Sequence, residues 1–457
     1  MVFSDLFFLF AFLPAFALCY VLARRANWVL VVFSLLFYAW GEPVYVLLML
    51  ASVAINYVAG RIIDQGTGRR RWWALVVGVT VNVLILAVFK YLAFFVSQLI
   101  GLGLRVPSVD IALPIGISFY TFQSISYLVD VYRRESPAQR RFMDLLLYVS
   151  MFPQLIAGPI VRYGTVAREI RQRHVTARDL SEGIMRFVQG LGKKVILANQ
   201  LSEVSGLLLA DAAGGTMSTA AAWIGILAFT LQIYFDFSGY SDMAIGIGRC
   251  LGFHFPENFD HPYCCRTITD FWRRWHMSLG SFFRDYVYIP MGGNRRHQPL
   301  NILVVWMLTG FWHGASWNFL LWGLYFGLII MAEKYTLLRF IQRVPRPLLH
   351  VYSLLLVVAG WGIFYFDDFL SMCRFFVAFL GLGQCLTDFA SVNTLAQHGW
   401  LWVMAVVSCL PVRSWLPGIR RVWLRQSLRV AWASALLILS VALLVGATNN
   451  AFLYTRF

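Results

Sequence analysis

Apolar runs long enough to form helices, separated by short Arg-rich loops, fill most of this chain. Residues 6–22 are uncharged, close to the ~20 residues that cross a bilayer, and run directly into Arg24 and Arg25. Because Lys and Arg collect on the cytoplasmic side, this stretch predicts a retained first helix ending in the cytoplasm. Residues 28–40 and 44–59 predict a hairpin broken at Gly41-Glu42-Pro43, with a basic far end at 61–71. The run 75–100 exceeds one crossing and holds Lys90 beyond its midpoint, which fits a tilted helix with a snorkelling lysine. The span 113–132 is rich in hydroxyls and aromatics. In 142–161, Pro153, Gly158 and Pro159 favour a broken, re-entrant element, which keeps the five-Arg loop 162–178 cytoplasmic.

Apolar residues at helical spacing, interrupted by Arg186, Lys193 and Lys194, predict an interfacial amphipathic helix over 179–200. A span at 219–235 then leads into the most polar passage of the chain, 236–313. Within it, 260–296 interleaves Asp270, Arg273, Arg274, His276, Arg284 and Asp285 with Phe, Trp and Tyr, as expected of chain lying along a membrane interface. The following run, 299–332, holds no Asp, Glu, Lys or Arg over 34 residues, too long for one crossing. Basic residues at both of its ends predict that it folds back, with the natural break at Gly310–Gly314. Further spans are predicted at 348–366, around 369–383 and 399–410, and at 430–447. The pattern predicts an all-α, polytopic integral membrane protein of roughly ten to twelve transmembrane helices plus re-entrant and interfacial helices, forming a single domain over 1–457.

Composition supports this pattern. The 457 residues are 59% hydrophobic and 13% charged, against about 25% charged in soluble domains. The net charge of +16 is then a topology signal, and nucleic acid is not an expected partner; membrane lipid is. Seven cysteines show no zinc or disulfide spacing, and no metal is expected, although His254 and His261 would merit attention if one were found.

Charges and imidazoles inside a membrane are costly, so those retained there are candidates for function. His313 lies within the uncharged run, flanked by Gly310 and Gly314, whose spacing lets another backbone or a substrate approach closely. No nucleophile elbow, P-loop or dinucleotide fingerprint is present, which leaves a neutral histidine as the best proton acceptor. A structural histidine and plain helix packing are the alternatives for this pair of features.

The motifs LPIGISFY, FPQLIAGPI, YFDFSGYSDMAIGIG, ENFDHPY, FWRRWHMSL, RDYVYIPMGGNR, FWHGASW and the terminal NNAFLYTRF resemble the membrane-bound O-acyltransferase superfamily, in its bacterial branch that O-acetylates exported polysaccharides. The resemblance implies a funnel and tunnel in the bilayer, with His313 activating the acceptor hydroxyl and His276 positioning or polarising the donor. Trp312, Asn318, Tyr240, Asp242, Arg273 and Asn294 are the accompanying substrate-binding candidates. It implies no bound cofactor, acetyl-CoA as the cytoplasmic acetyl donor, and a location in the bacterial inner membrane. It also implies an alginate-like polymer, cellulose or a related glycan as the final acceptor, with polysaccharide export machinery and a periplasmic SGNH-type acetyltransferase as partners. The competing readings are a transporter, a scaffold for a separate periplasmic enzyme, and a D-alanyl transferase of the same superfamily.

Overall fold

The computed structural model describes residues 1–156, 158–337, 340, 343–383, 385–415, 421–447 and 453, and every regular element among them is helical. Among the described residues, five helices are long and apolar enough to cross a membrane: Tyr45–Gln65, Gly68–Gly101, Thr219–Cys250, Arg346–Tyr365 and Val422–Val445. Shorter apolar helices occur at Phe8–Leu22, Asn27–Gly41, Phe369–Phe379 and Gly399–Cys409. The terminal motif NNAFLYTRF lies almost wholly outside the described residues. Two compact units form, one from Met1–Phe187 with Tyr240–Glu257, the other from Val188–Gly239 with Asn258–Phe457.

In the first unit the chain turns at residues 42–44, as the Gly-Glu-Pro sequence predicts. The long helix Gly68–Gly101 starts earlier than its apolar run and absorbs Lys90 in a π-helical turn, Ala87–Tyr91. Asn56 and Asn82 exchange side-chain hydrogen bonds of 3.1 and 2.7 Å, joining Tyr45–Gln65 to this helix through a buried polar pair. The hydroxyl-rich helix Ile117–Arg133 is buried on nearly every face. The segment 142–161 breaks as its prolines require: Phe142–Ser150 stops, Phe152–Leu155 adds one turn, and irregular chain follows. The Tyr148 hydroxyl donates to the Val161 carbonyl at 2.8 Å and ties the two halves together.

In the second unit, Lys193–Ala198 forms a π-helical turn within a continuous helix, and Val195–Ala198 are buried with Lys194. This part of the predicted interfacial helix is therefore interior. Its polar pattern has a specific cause, because Lys194 Nζ lies 2.6 Å from Asp236 Oδ1 with both side chains 3% exposed. Asp236 Oδ2 also accepts the Leu453 backbone N–H at 2.7 Å. Close approach is possible there because a Cβ on Gly239 would meet the Gly190 carbonyl at 2.7 Å. The predicted span 219–235 does not stop at the polar motif: the helix continues to Cys250, with the acids inside it paired.

Candidate active site

The uncharged run 299–332 folds into two helices, Gln298–His313 and Trp317–Ala332, that turn back at Gly314–Ser316. The arms cross where only glycine fits. A Cβ on Gly310 would sit 2.2 Å from the Phe319 carbonyl and 3.2 Å from the Gly323 Cα. His313 is the last residue of the first arm and is 6% exposed. Trp322 and Phe364 meet its ring edge-on at centroid distances of 5.1 and 5.2 Å, and Trp312 lies at 4.8 Å. Asn318 donates to the Phe364 carbonyl at 3.3 Å, fastening the start of the second arm to the helix Arg346–Tyr365.

His276 occupies the short connection between helices Ile268–Arg274 and Met277–Phe283. Its φ of +45° is unusual for a residue with a Cβ and costs about 1–3 kcal/mol, so its surroundings must hold it there. They do. Met277 N–H donates to the Asn258 carbonyl at 3.0 Å, and the His276 ring meets Asn258 Oδ1 through Nδ1 at 3.0 Å. Phe237 packs edge-on against the ring at 4.6 Å. His276 lies outside the five membrane-length helices, and burial lowers its pKa from the ordinary value to about 3, so the ring is neutral at physiological pH.

His276 and His313 line one cavity of about 190 Å³, walled by Trp272, Trp275, Trp306 and Thr309 among others. Beside it, sharing Tyr288, Val305 and Trp306, is a more open chamber of about 460 Å³. Its polar lining includes Thr269, Asp270, Arg273, Asn294, Glu333 and Lys334. The two acids are already committed. Asp270 pairs with Arg274 at 2.9 Å, while Glu333 accepts Ile268 N–H, Thr269 N–H and the Thr269 hydroxyl at 2.6, 2.8 and 2.6 Å. Arg273 has no carboxylate partner among the described residues. Lys334 donates to Asn294 Oδ1 at 3.2 Å; partial burial and then repulsion from Arg273 lower its pKa. Arg273 and Lys334 thus line the chamber together with the Asp270 and Glu333 carboxylates, and among the described residues neither cation forms an ion pair.

Glu333 follows the second hairpin arm and holds the N-terminus of the helix that leads to His276. Glu333→Ala strands two backbone donors, and each buried donor left unpaired costs about 1–3 kcal/mol. The expected outcome is a melting temperature lowered by several degrees in detergent, with acyl transfer lost in parallel. Thermal unfolding measured alongside activity checks both.

Of the sequence candidates, His276, His313, Arg273 and Asn294 line these adjoining spaces, and Trp312 packs against both imidazoles, at ring-centroid distances of 5.8 Å from His276 and 4.8 Å from His313. Tyr240 and Asp242 belong to the first unit. Tyr240 stacks on Phe3 at 4.5 Å, and Asp242 pairs with Arg186 at 2.6 Å, which also binds Glu257 at 2.5 Å. Sequence reading passed over Asn258, Glu333 and Lys334. Asn258 lies in the ENFDHPY motif and could have been found there; Glu333 ends an apolar run and gives no local signal. No group of three or more metal-ligating side chains occurs among the described residues.

Residues 83–376 match the profile described as MBOAT, membrane-bound O-acyltransferase family. Over 433 residues the chain is 42% identical to the probable alginate O-acetylase of Azotobacter vinelandii, covering 90% of this chain and 85% of that protein. It is 36% identical over 376 residues to the peptidoglycan O-acetyltransferase of Helicobacter pylori, covering 73% and 70% of the two chains. Similarity to the teichoic acid D-alanyltransferase of Bacillus subtilis is 26% over 235 residues, 48% of this chain and 59% of the other. With membrane-length helices, a match across well over half its length and acyltransferase relatives, this chain belongs to the membrane-bound O-acyltransferase family and is a multi-pass membrane O-acyltransferase.

Proposed function

We propose that the protein takes an acetyl group from acetyl-CoA on the cytoplasmic side of the inner membrane and delivers it for O-acetylation of an exported polysaccharide. The observation that carries this reading is the cavity shared by His276 and His313, adjoining a chamber that holds Arg273 and Lys334. In it, His313 takes the proton of an acceptor hydroxyl as the oxygen attacks the acetyl carbonyl carbon. The thioester C–S bond breaks, and the imidazolium returns the proton to the thiolate, leaving an ester and free coenzyme A. His276 positions the reacting groups. Arg273 and Lys334, neither of them ion-paired among the described residues, suit the phosphates of the donor, because Arg and Lys bind phosphate through charge-assisted hydrogen bonds.

The final acceptor in this reading is an alginate-like or related glycan, reached directly or through a periplasmic SGNH-type acetyltransferase. Acetyl is favoured over D-alanyl because the alginate O-acetylase similarity extends over nearly the whole chain and the D-alanyltransferase similarity over half of it. The test is acetyl transfer by purified protein in liposomes, using labelled acetyl-CoA with no ion gradient. Label is expected in an ester on the acceptor; label recovered only as intact acetyl-CoA inside the vesicle would make the protein a transporter. In the same assay Arg273→Ala should raise KM for acetyl-CoA about 10-fold or more, the worth of a hydrogen bond to a charged group, with little change in kcat.

A further inference from the structure

We infer that Asn258 is a positioning residue that locks His276 in the Nδ1–H tautomer, so that His276 faces its substrates as a hydrogen-bond acceptor. The inference rests on the acetyl-transfer reading for its substrates, but its structural part stands on three contacts. Asn258 Oδ1 lies 3.2 Å from the Ser278 backbone nitrogen, 2.8 Å from Ser278 Oγ and 3.0 Å from His276 Nδ1. A backbone N–H can only donate, so the Asn258 atom facing it is the oxygen and the amide orientation is fixed. An amide oxygen cannot donate, so His276 Nδ1 must carry the hydrogen of the contact. A neutral imidazole has a single N–H, which leaves the lone pair on Nε2.

Nothing in this arrangement is loose. Asn258 is 1% exposed, and the Met277–Asn258 backbone bond keeps its segment against the turn that carries His276. The charged or titratable groups lining the same cavity are His313, Arg284 and Tyr288, and none is a carboxylate. Phe237 and Trp312 cover the ring from other elements. A neutral orienting partner therefore sets the tautomer without drawing a proton onto the ring.

The consequence concerns which substrate group lies against His276. An acetyl carbonyl only accepts, so a neutral ring presenting a lone pair gives it nothing. A hydroxyl of the acyl acceptor donates, and glycans carry several, so one can bond His276 while another reacts at His313. His276 thus belongs to the acceptor side of the reaction and does not polarise the donor.

The tautomer can be read directly from nitrogen NMR of the wild-type protein labelled with ¹⁵N-histidine, with His276 assigned by difference against His276→Gln. Protonated Nδ1 and unprotonated Nε2 are expected; protonated Nε2 would overturn the assignment. The kinetic arm uses Asn258→Asp, which keeps an acceptor but adds a negative charge that favours imidazolium. Because the ring stays neutral near pH 7, Asn258→Asp should keep kcat within a few-fold of wild type, whereas Asn258→Leu, which removes the acceptor, should lower kcat about 10-fold or more, with KM for acetyl-CoA nearly unchanged in both. Asn258→Leu with wild-type kcat while His276→Ala is inactive would overturn the positioning role. A wild-type protein with the stated tautomer but no acetyl transfer would leave the Asn258 assignment standing and remove the acetyl-transfer reading instead.

Discussion

His313→Ala is expected to lower acetyl transfer by roughly 10²–10⁴-fold, the contribution of a positioned general base, while the protein remains at normal abundance in the membrane. Abundance should hold because the imidazole ends a helix at a turn, and the hairpin is fastened elsewhere, by the Gly310–Gly323 crossing and the Asn318 bond to Phe364. Removing the ring leaves a small void among Trp322, Phe364 and Trp312, at a modest cost beside the loss of chemistry. Polymer acetyl content measured together with immunodetected protein separates the two effects. Persistent acetylation at near wild-type levels would remove His313 from the reaction.

The largest expected stability effect lies at the Lys194–Asp236 pair. Lys194→Ala leaves Asp236 buried with the Leu453 N–H, among the described residues, to meet its charge, and breaking a buried pair from one side costs about 3–5 kcal/mol. Replacing both members, Lys194→Met with Asp236→Leu, should recover most of that loss, since well-packed apolar residues often match a buried pair in stability. Unfolding midpoints of the single and double variants in one detergent check this. A single variant as stable as wild type would show that the charge reaches water.

The same pair explains what the sequence revealed and what it hid. The hairpin break and His313 were legible because they follow from length and charge: an uncharged run too long for one crossing must turn, and its glycines mark the place. The broken 142–161 segment was legible through its prolines. The continuous helix Thr219–Cys250 was not. Its Asp236 and Asp242 look like the end of a membrane span until Lys194 and Arg186 are seen beside them, and these partners are remote in sequence. The site shows the same division. His313 stood out as an imidazole in the wrong solvent, and His276, Arg273 and Asn294 came with their motifs. Asn258 and Glu333 act through backbone geometry elsewhere in the chain, which no local pattern records. Asp242 also came with its motif, yet its charge is held by Arg186 within an ion-pair cluster.

The most direct measurement is a structure of the protein in lipid with a non-reactive thioether analogue of acetyl-CoA. The account predicts the acetyl mimic in the cavity lined by His276 and His313, with a phosphate group in the chamber beside Arg273 and Lys334. An analogue bound with its acetyl group away from both imidazoles would contradict it.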